Sequence, residues 1–222
     1  MTAYKIGILG GTGKEGGGLA VRLAAAGHSV TIGSRTRERA EEAARTFSAE
    51  AGAALEAGDN RDAVLASDIV ILTVPFAAQL STLETVKSEL AGKILIDATV
   101  PLVPPRVSRV QLPKEGSAVL LAQALLGESV RVVSAFQNVS AHHLHDLSHA
   151  IETDVIICGD DQGACDIVVA IAHSIGIRGF YGGALCNSAA AEALTSVLIA
   201  INRRYKVAAA GIQITGMPRS AS

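Results

Sequence analysis

Tryptophan is absent from this 222-residue chain and aromatic residues make up only 3% of it, too few to build a stacking platform for nucleic acid bases. Charge of one sign is lacking too. Lys and Arg number 19 against 21 Asp and Glu, so the formal net charge is −2; no nucleic acid and no membrane partner is expected, and any anion site must be local. Cysteine is scarce: Cys158, Cys165 and Cys186 are odd in number and lack paired metal-ligand spacing. They indicate neither a disulfide framework nor a zinc site, and read as small buried residues. The amino terminus has neither the basic start nor the unbroken apolar core of a secretory signal, and no run approaches the length of a membrane span. A soluble protein in a reducing cytoplasm is the expectation.

What is present starts at residue 5. The apolar run Lys5-Ile6-Gly7-Ile8-Leu9 feeds Gly10-Gly11-Thr12-Gly13-Lys14-Glu15-Gly16, and Gly11, Gly13 and Gly16 fit G-x-G-x-x-G. In that pattern the first glycine permits a tight turn, the second lets backbone approach a pyrophosphate, and the third lets a helix pack on the strand. The amides at the start of the following helix carry partial positive charge toward the phosphates. Leu19, Val21, Leu23 and Ala26 continue that helix until Gly27 ends it. Gly11, Thr12, Gly13, Lys14 and Glu15 are therefore candidate cofactor-binding residues.

An absence inside the pattern then selects the ligand. An NAD site places Asp or Glu near the end of its second strand to hold both ribose hydroxyls. Here His28-Ser29-Val30-Thr31-Ile32 ends instead at Gly33-Ser34-Arg35, with Arg37 and Arg39 close behind. A carboxylate repels a 2′-phosphate, whereas a hydroxyl and a guanidinium donate to it. NADP(H) is the expected cofactor, with Ser34, Arg35 and Arg39 on its 2′-phosphate.

Apolar strands and helical patterns alternate along the chain, which predicts an α/β fold with a doubly wound parallel sheet. Arg37 to Ala51 reads as an exposed crossover helix. Ile69 to Val74 reads as a central strand ending at Pro75-Phe76, so Thr73, Val74 and Pro75 should flank the cofactor. Further segments are a helix from Ala78 to Leu90, a strand over Lys93–Asp97, a proline-rich loop over Pro101–Pro105, a helix over Ser117–Leu126 and a strand over Val130–Phe136. Composition shifts beyond Ala150. A strand over Asp154–Gly159, a helix capped by Asp160 or Asp161 that runs to Gly176, and an Ala-rich helix from Asn187 to Ala210 follow. Residues 1–150 are expected to form the dinucleotide-binding domain and 151–222 a small C-terminal domain closing the cleft.

The stretch from Ser140 to His149 carries four histidines. On a helix His142, His145 and His149 share a face, but three histidines on one helix seldom supply a complete ligand set, so no metal is expected and a solvated or partner-facing helix is. The chain has no nucleophile elbow and no Ser/His/Asp arrangement. Hydride transfer between two cofactors needs mainly alignment and close approach, and so tolerates that poverty of acid and base groups.

The chain resembles the NADPH-dependent reductases of the deazaflavin coenzyme F420. The similarity rests on Ile8-Leu9-Gly10-Gly11-Thr12-Gly13, Gly27-His28, Gly33-Ser34-Arg35, Val74-Pro75-Phe76, Pro101-Leu102-Val103-Pro104, Ser134-Ala135, Cys158-Gly159-Asp160-Asp161, Asn187-Ser188 and Glu192-Ala193-Leu194-Thr195. The resemblance implies a Rossmann domain, reversible hydride transfer between NADPH and the deazaflavin as co-substrate, and Thr12 beside Ser34, Arg35 and Arg39 on the 2′-phosphate. It also implies that Ala135, Gln137, Val139, Leu194 and Thr195 face the two reacting rings. One departure is Gln137-Asn138-Val139-Ser140 where archaeal members carry His followed by Thr, Ile and Pro. Two alternatives use the same scaffold: an NADPH-dependent reductase of a small imine or keto compound, and a non-catalytic NADP-sensing protein. A homo-oligomer is expected by analogy of fold.

Overall fold

The structure, a computed structural model, describes residues 2–217. Its spine is a sheet of eight strands in the order β3-β2-β1-β4-β5-β6-β7-β8. These are β1 Lys5–Leu9, β2 Ser29–Ser34, β3 Glu56–Asp59, β4 Ile69–Leu72, β5 Ile94–Asp97, β6 Arg131–Ser134, β7 Val155–Gly159 and β8 Gly179–Tyr181. All pairings are parallel except β6 with β7, where Val133 faces Gly159 and Ser134 faces Cys158 in antiparallel register. The expectation of a parallel sheet thus holds with one reversed strand pair. The helices are α1 Lys14–Ala25, α2 Arg37–Ala51, α3 Asn60–Leu65, α4 Gln79–Val86, α5 Ala118–Leu126, α6 Gln162–Ser174 and α7 Ser188–Tyr205.

Period-two alternation divides the core into two layers. Ile6, Ile8, Ile69, Ile71, Ile94 and Ile96 point to the face covered by α1, α2 and α6, through Leu19, Leu23, Ala40, Ala44, Val168 and Ile171. Leu9, Val70, Leu72 and Leu95 point to the opposite face, against Val64 of α3, Leu83 and Val86 of α4 and Val119 of α5. Strands with helices on both faces must be apolar throughout, as β4 and β5 are. The strand order reverses between β1 and β4, so the crevice beyond their carboxyl ends is where such a fold binds ligands.

Several expectations change. The four-residue β3 and the short α3 were not foreseen. The segment after Ser140 contains only a 3-10 turn at Ala141–His143 and no helix. Arg22, buried on α1, explains why: its guanidinium donates to the carbonyls of His143, Leu144, Asp146 and His149, satisfying four backbone acceptors that a helix would have used itself. The histidines consequently fail to share a face. His143 stacks on His149 with centroids 3.7 Å apart, while His145 turns away to Glu50, 2.7 Å from its Nδ1. The helix α7 stops at Tyr205 rather than Ala210, because Lys206 takes a left-handed conformation. Cys158 and Cys165 are buried as expected, but Cys186 is exposed. Finally, Leu185–Tyr205 is long and apolar enough, by length and composition, to cross a membrane, contrary to the reading that no run is. Its buried polar residues Ser188, Glu192 and Ser196 tie it to Ser117, Ala118 and Val119 at the start of α5 and to the Arg109 carbonyl in the loop before it.

Candidate active site

The turn after β1 is made by Gly10, whose φ of 79° only glycine adopts readily; the sequence had assigned that role to Gly11. Gly11 instead ties the ends of two strands, its N–H donating to the Gly33 carbonyl at 3.2 Å. Gly16 acts as read. A Cβ there would lie 2.4 Å from Thr73 Oγ1, so only glycine lets α1 sit this close to the end of β4.

Beyond these strand ends lies a cleft of about 830 Å³, in the size range of a small-molecule or cofactor site. Thr12, Gly13, Lys14 and Glu15 line it from the start of α1, Ser34, Arg35 and Arg39 from the end of β2 and the start of α2, and Thr73, Val74 and Pro75 from the end of β4. Gln137 and Val139 line it from the chain after β6, and Thr195 from α7. Residues more than 180 positions apart in sequence thus share one wall. Gly11, Ala135 and Leu194 do not line it. Ala135 is fully buried in the layer below, and Leu194 is half-buried on the turn of α7 next to Thr195.

Sequence reasoning missed other lining residues. Asn60, at the start of the unforeseen α3, brings to the Ser34 corner a buried Oδ1 with no hydrogen-bond partner among the described residues. Thr99, Val100, Leu102 and Val107 come from the chain after β5, where proline-rich composition identified a loop but not its direction. Arg37, by contrast, turns aside to pair with Asp62 at 2.5 Å, both ends solvated. Arg35 and Arg39 are exposed and, among the described residues, engage no hydrogen bond or ion pair.

The far end of the cleft is organised by Asp97 at the end of β5. It is fully buried, accepts from Gln79 Nε2 at 2.6 Å and from the Thr99 N–H at 2.8 Å, and burial raises its pKa against those bonds. Two more acids sense it. Glu15, partly exposed on the cleft side, is pushed up to about 8 by burial and then by Asp97. Glu192 of α7 is pushed up to about 7 by burial, with Asp97 adding, although its oxygens accept from the Ala118 and Val119 N–H groups at 2.7 and 3.1 Å. The site therefore has an anion-accepting corner of hydroxyl and guanidinium groups at one end and an apolar, amide-lined end at the other, and the Glu15 carboxyl that lines it is mostly neutral near pH 7.

A dinucleotide phosphate fits these groups. The uncapped start of α1, with no side-chain bond at Gly13, leaves amides for phosphate, and the unpaired Ser34, Arg35 and Arg39 await a further anion. The family model described as NADP oxidoreductase coenzyme F420-dependent matches residues 5–101. The F420-dependent NADP reductase of Methanocaldococcus jannaschii is 41% identical over 224 residues, covering 96% of this chain and 99% of the relative. That of Methanothermobacter thermautotrophicus is 38% identical, covering 98% and 97%. Among solved structures, a putative F420-dependent NADP reductase from Arthrobacter sp. FB24 superposes with a TM-score of 0.81 at 24% identity, covering 96% of this chain and all of that one, which supports the Rossmann-like fold. Near-complete coverage at such identity leaves one conclusion: this chain belongs to the F420-dependent NADP reductase family.

Proposed function

We infer that the protein passes hydride reversibly between NADPH and the deazaflavin coenzyme F420. The observation that carries the reading is that one cleft joins the unpaired Ser34, Arg35 and Arg39 corner to the Gln137, Val139 and Thr195 end, in a chain alike over its length to reductases of that name. In the forward direction the hydride leaves NADPH for the oxidised deazaflavin and one proton is taken up, giving NADP⁺ and the reduced deazaflavin. The two molecules carry the redox chemistry, and the protein supplies alignment and exclusion of water.

The roles divide along the cleft. Thr12, Ser34, Arg35 and Arg39 hold the 2′-phosphate, and the amides of Gly13 and Lys14 face the pyrophosphate. Thr73, Val74 and Pro75 line the ribose and ring beyond, while Gln137, Val139 and Thr195 border the reacting rings. The C-terminal part of the chain contributes to that end through Thr195 of α7. The same reading takes the protein to act on small molecules alone, in the cytoplasm, as a homo-oligomer; its near-neutral charge offers no surface field for nucleic acid. The test is to mix protein, NADPH and oxidised deazaflavin and follow bleaching of the deazaflavin chromophore. Steady bleaching is expected; tight NADPH binding without bleaching would sink the proposal.

A further inference from the structure

Gln137 is 3% exposed, yet it lines the cleft, and its two amide atoms have different fates. Nε2 donates to the backbone carbonyl of Asp97 at 2.7 Å. Because that partner is a carbonyl, the contacting atom must be the nitrogen, so the amide cannot be turned end for end without losing the bond. Among the described residues, Oε1 is left buried with no hydrogen-bond partner. An unpaired buried acceptor is costly, and one that lines a binding cleft marks where a donor belongs.

The backbone around Gln137 is held in place. Phe136, immediately before it, is fully buried at φ 74°, a left-handed conformation unfavourable for a residue with a bulky side chain. Thr195 Oγ1 donates to the Gln137 carbonyl at 2.7 Å, which fixes the strand end to α7. Asn138 Nδ2 donates to the Asp154 carbonyl at 2.6 Å, which fixes it to β7. These two tethers hold the backbone, and the Nε2 bond to the Asp97 carbonyl sets the direction of the amide.

We propose that Gln137 Oε1 accepts a hydrogen bond from the carboxamide NH₂ of the nicotinamide, fixing the rotation of the ring and so the face it offers to the second substrate. The assignment rests on reading the cleft as an NADPH site. It follows from order along the cleft: the phosphate corner lies at the end of β2, and a dinucleotide that starts there and passes the α1 amides near β1 brings its nicotinamide over the ends of β4, β5 and β6. Gln137 thereby becomes a specificity-determining residue for a pyridine ring that bears an N–H donor. It has no charge to alter the ring's electronics, so its contribution is orientation.

The experiment measures binding alone, so it does not depend on whether deazaflavin is the second substrate. Dissociation constants for NADPH and for its 3-acetylpyridine analogue, which keeps the ring carbonyl and lacks the NH₂, are compared by nucleotide fluorescence or calorimetry. The wild type is expected to bind the analogue about tenfold more weakly, the cost of leaving one buried acceptor unpaired. In Gln137→Leu, and in Gln137→Met as a second packing solution, the two nucleotides should bind within about twofold of each other. Equal binding by the wild type overturns the inference without any variant, so it stays falsifiable if both variants misfold. A tenfold preference that survives in folded Gln137→Leu also overturns it. If that variant in addition raises the KM for the deazaflavin, Oε1 reads the deazaflavin's imide N–H instead. Failure of the wild type to bleach deazaflavin, with the tenfold preference intact, would count against the proposed function and leave Gln137's role standing.

Discussion

Ser34 and Arg35 illustrate how much a single missing carboxylate conveys. Their position was legible because a Rossmann second strand ends a fixed distance from the glycine turn, and Ser34 does lie at the end of β2, paired with Asp59 of β3. Arg35→Ala should weaken NADPH binding by about 10- to 100-fold, the worth of charge-assisted bonds to a phosphate, and NADH binding by less than about twofold. Parallel titrations of the two nucleotides check this, and equal losses would contradict a phosphate role. Glu15 was legible as a cleft residue but its protonation was not, since that depends on burial and on Asp97, 82 positions away. With a carboxyl that titrates at about 8, ionisation places negative charge beside the phosphates, and NADPH affinity should fall as pH rises through that value, by up to about tenfold per unit. Asp97, whose pKa burial also raises, works in the same direction. In Glu15→Gln the decline between pH 7.5 and 9 should be largely gone; an unchanged profile would assign it elsewhere.

At the scale of elements, helices rich in strong helix formers or carrying a side-chain cap were read almost to the residue: α2, rich in Ala, Glu and Arg, runs over Arg37–Ala51 as expected, and Asp161 caps α6 by accepting from Ala164 N at 2.7 Å. Elements defined by partners were not. The strand β3, Glu56-Ala57-Gly58-Asp59, has two acids and a glycine in four residues, and becomes a strand only because β2 supplies a ladder. The His142–His149 segment failed in the opposite sense, since a helical spacing was overridden by one buried guanidinium from α1. Arg22→Met should free that segment, costing about 2 to 4 kcal/mol of stability and raising amide exchange over residues 143–149 before other regions. Chelator treatment should leave NADPH binding unchanged, because these rings meet one another, Glu50 and backbone rather than a common centre. The joint between α5 and α7 was equally invisible. Glu192 was quoted only as part of a family pattern, yet it closes the start of α5, where Ser117 also caps Leu120 N and meets Ser188 at 2.8 Å. Glu192→Ala should cost about 2 to 4 kcal/mol in urea unfolding, since two buried N–H groups lose their acceptor, and Glu192→Gln about half of that.

For the molecule as a whole, the near balance of charge in the composition hides three acids that sense one another, Asp97 acting on both Glu15 and Glu192. Glu15, Asp97 and Glu192 come from α1, β5 and α7, and all have pKa values above those of the unfolded chain. Between the unfolded value of 4.5 and the folded values of about 7 and 8, the native state holds more protons than the unfolded state. Stability must therefore fall as pH rises through that window and level off above it. Glu192, pushed up to about 7, carries part of that decline. His28 works against it. Burial lowers its pKa below 6.5, so it is held neutral between Tyr4 N and Ser174 Oγ, and its contribution grows as pH rises toward 6.5. The wild-type profile is the sum of these opposed slopes, and the difference between wild type and the Glu15→Gln/Glu192→Gln double variant isolates the acids. Urea unfolding from pH 5 to 9 should show the variant's stability nearly level between pH 6.5 and 8, where the wild type still declines. Parallel curves would mean that Glu15 and Glu192 ionise in the folded protein as readily as in the unfolded chain, and the neutral Glu15 carboxyl assigned to the cleft would go with them.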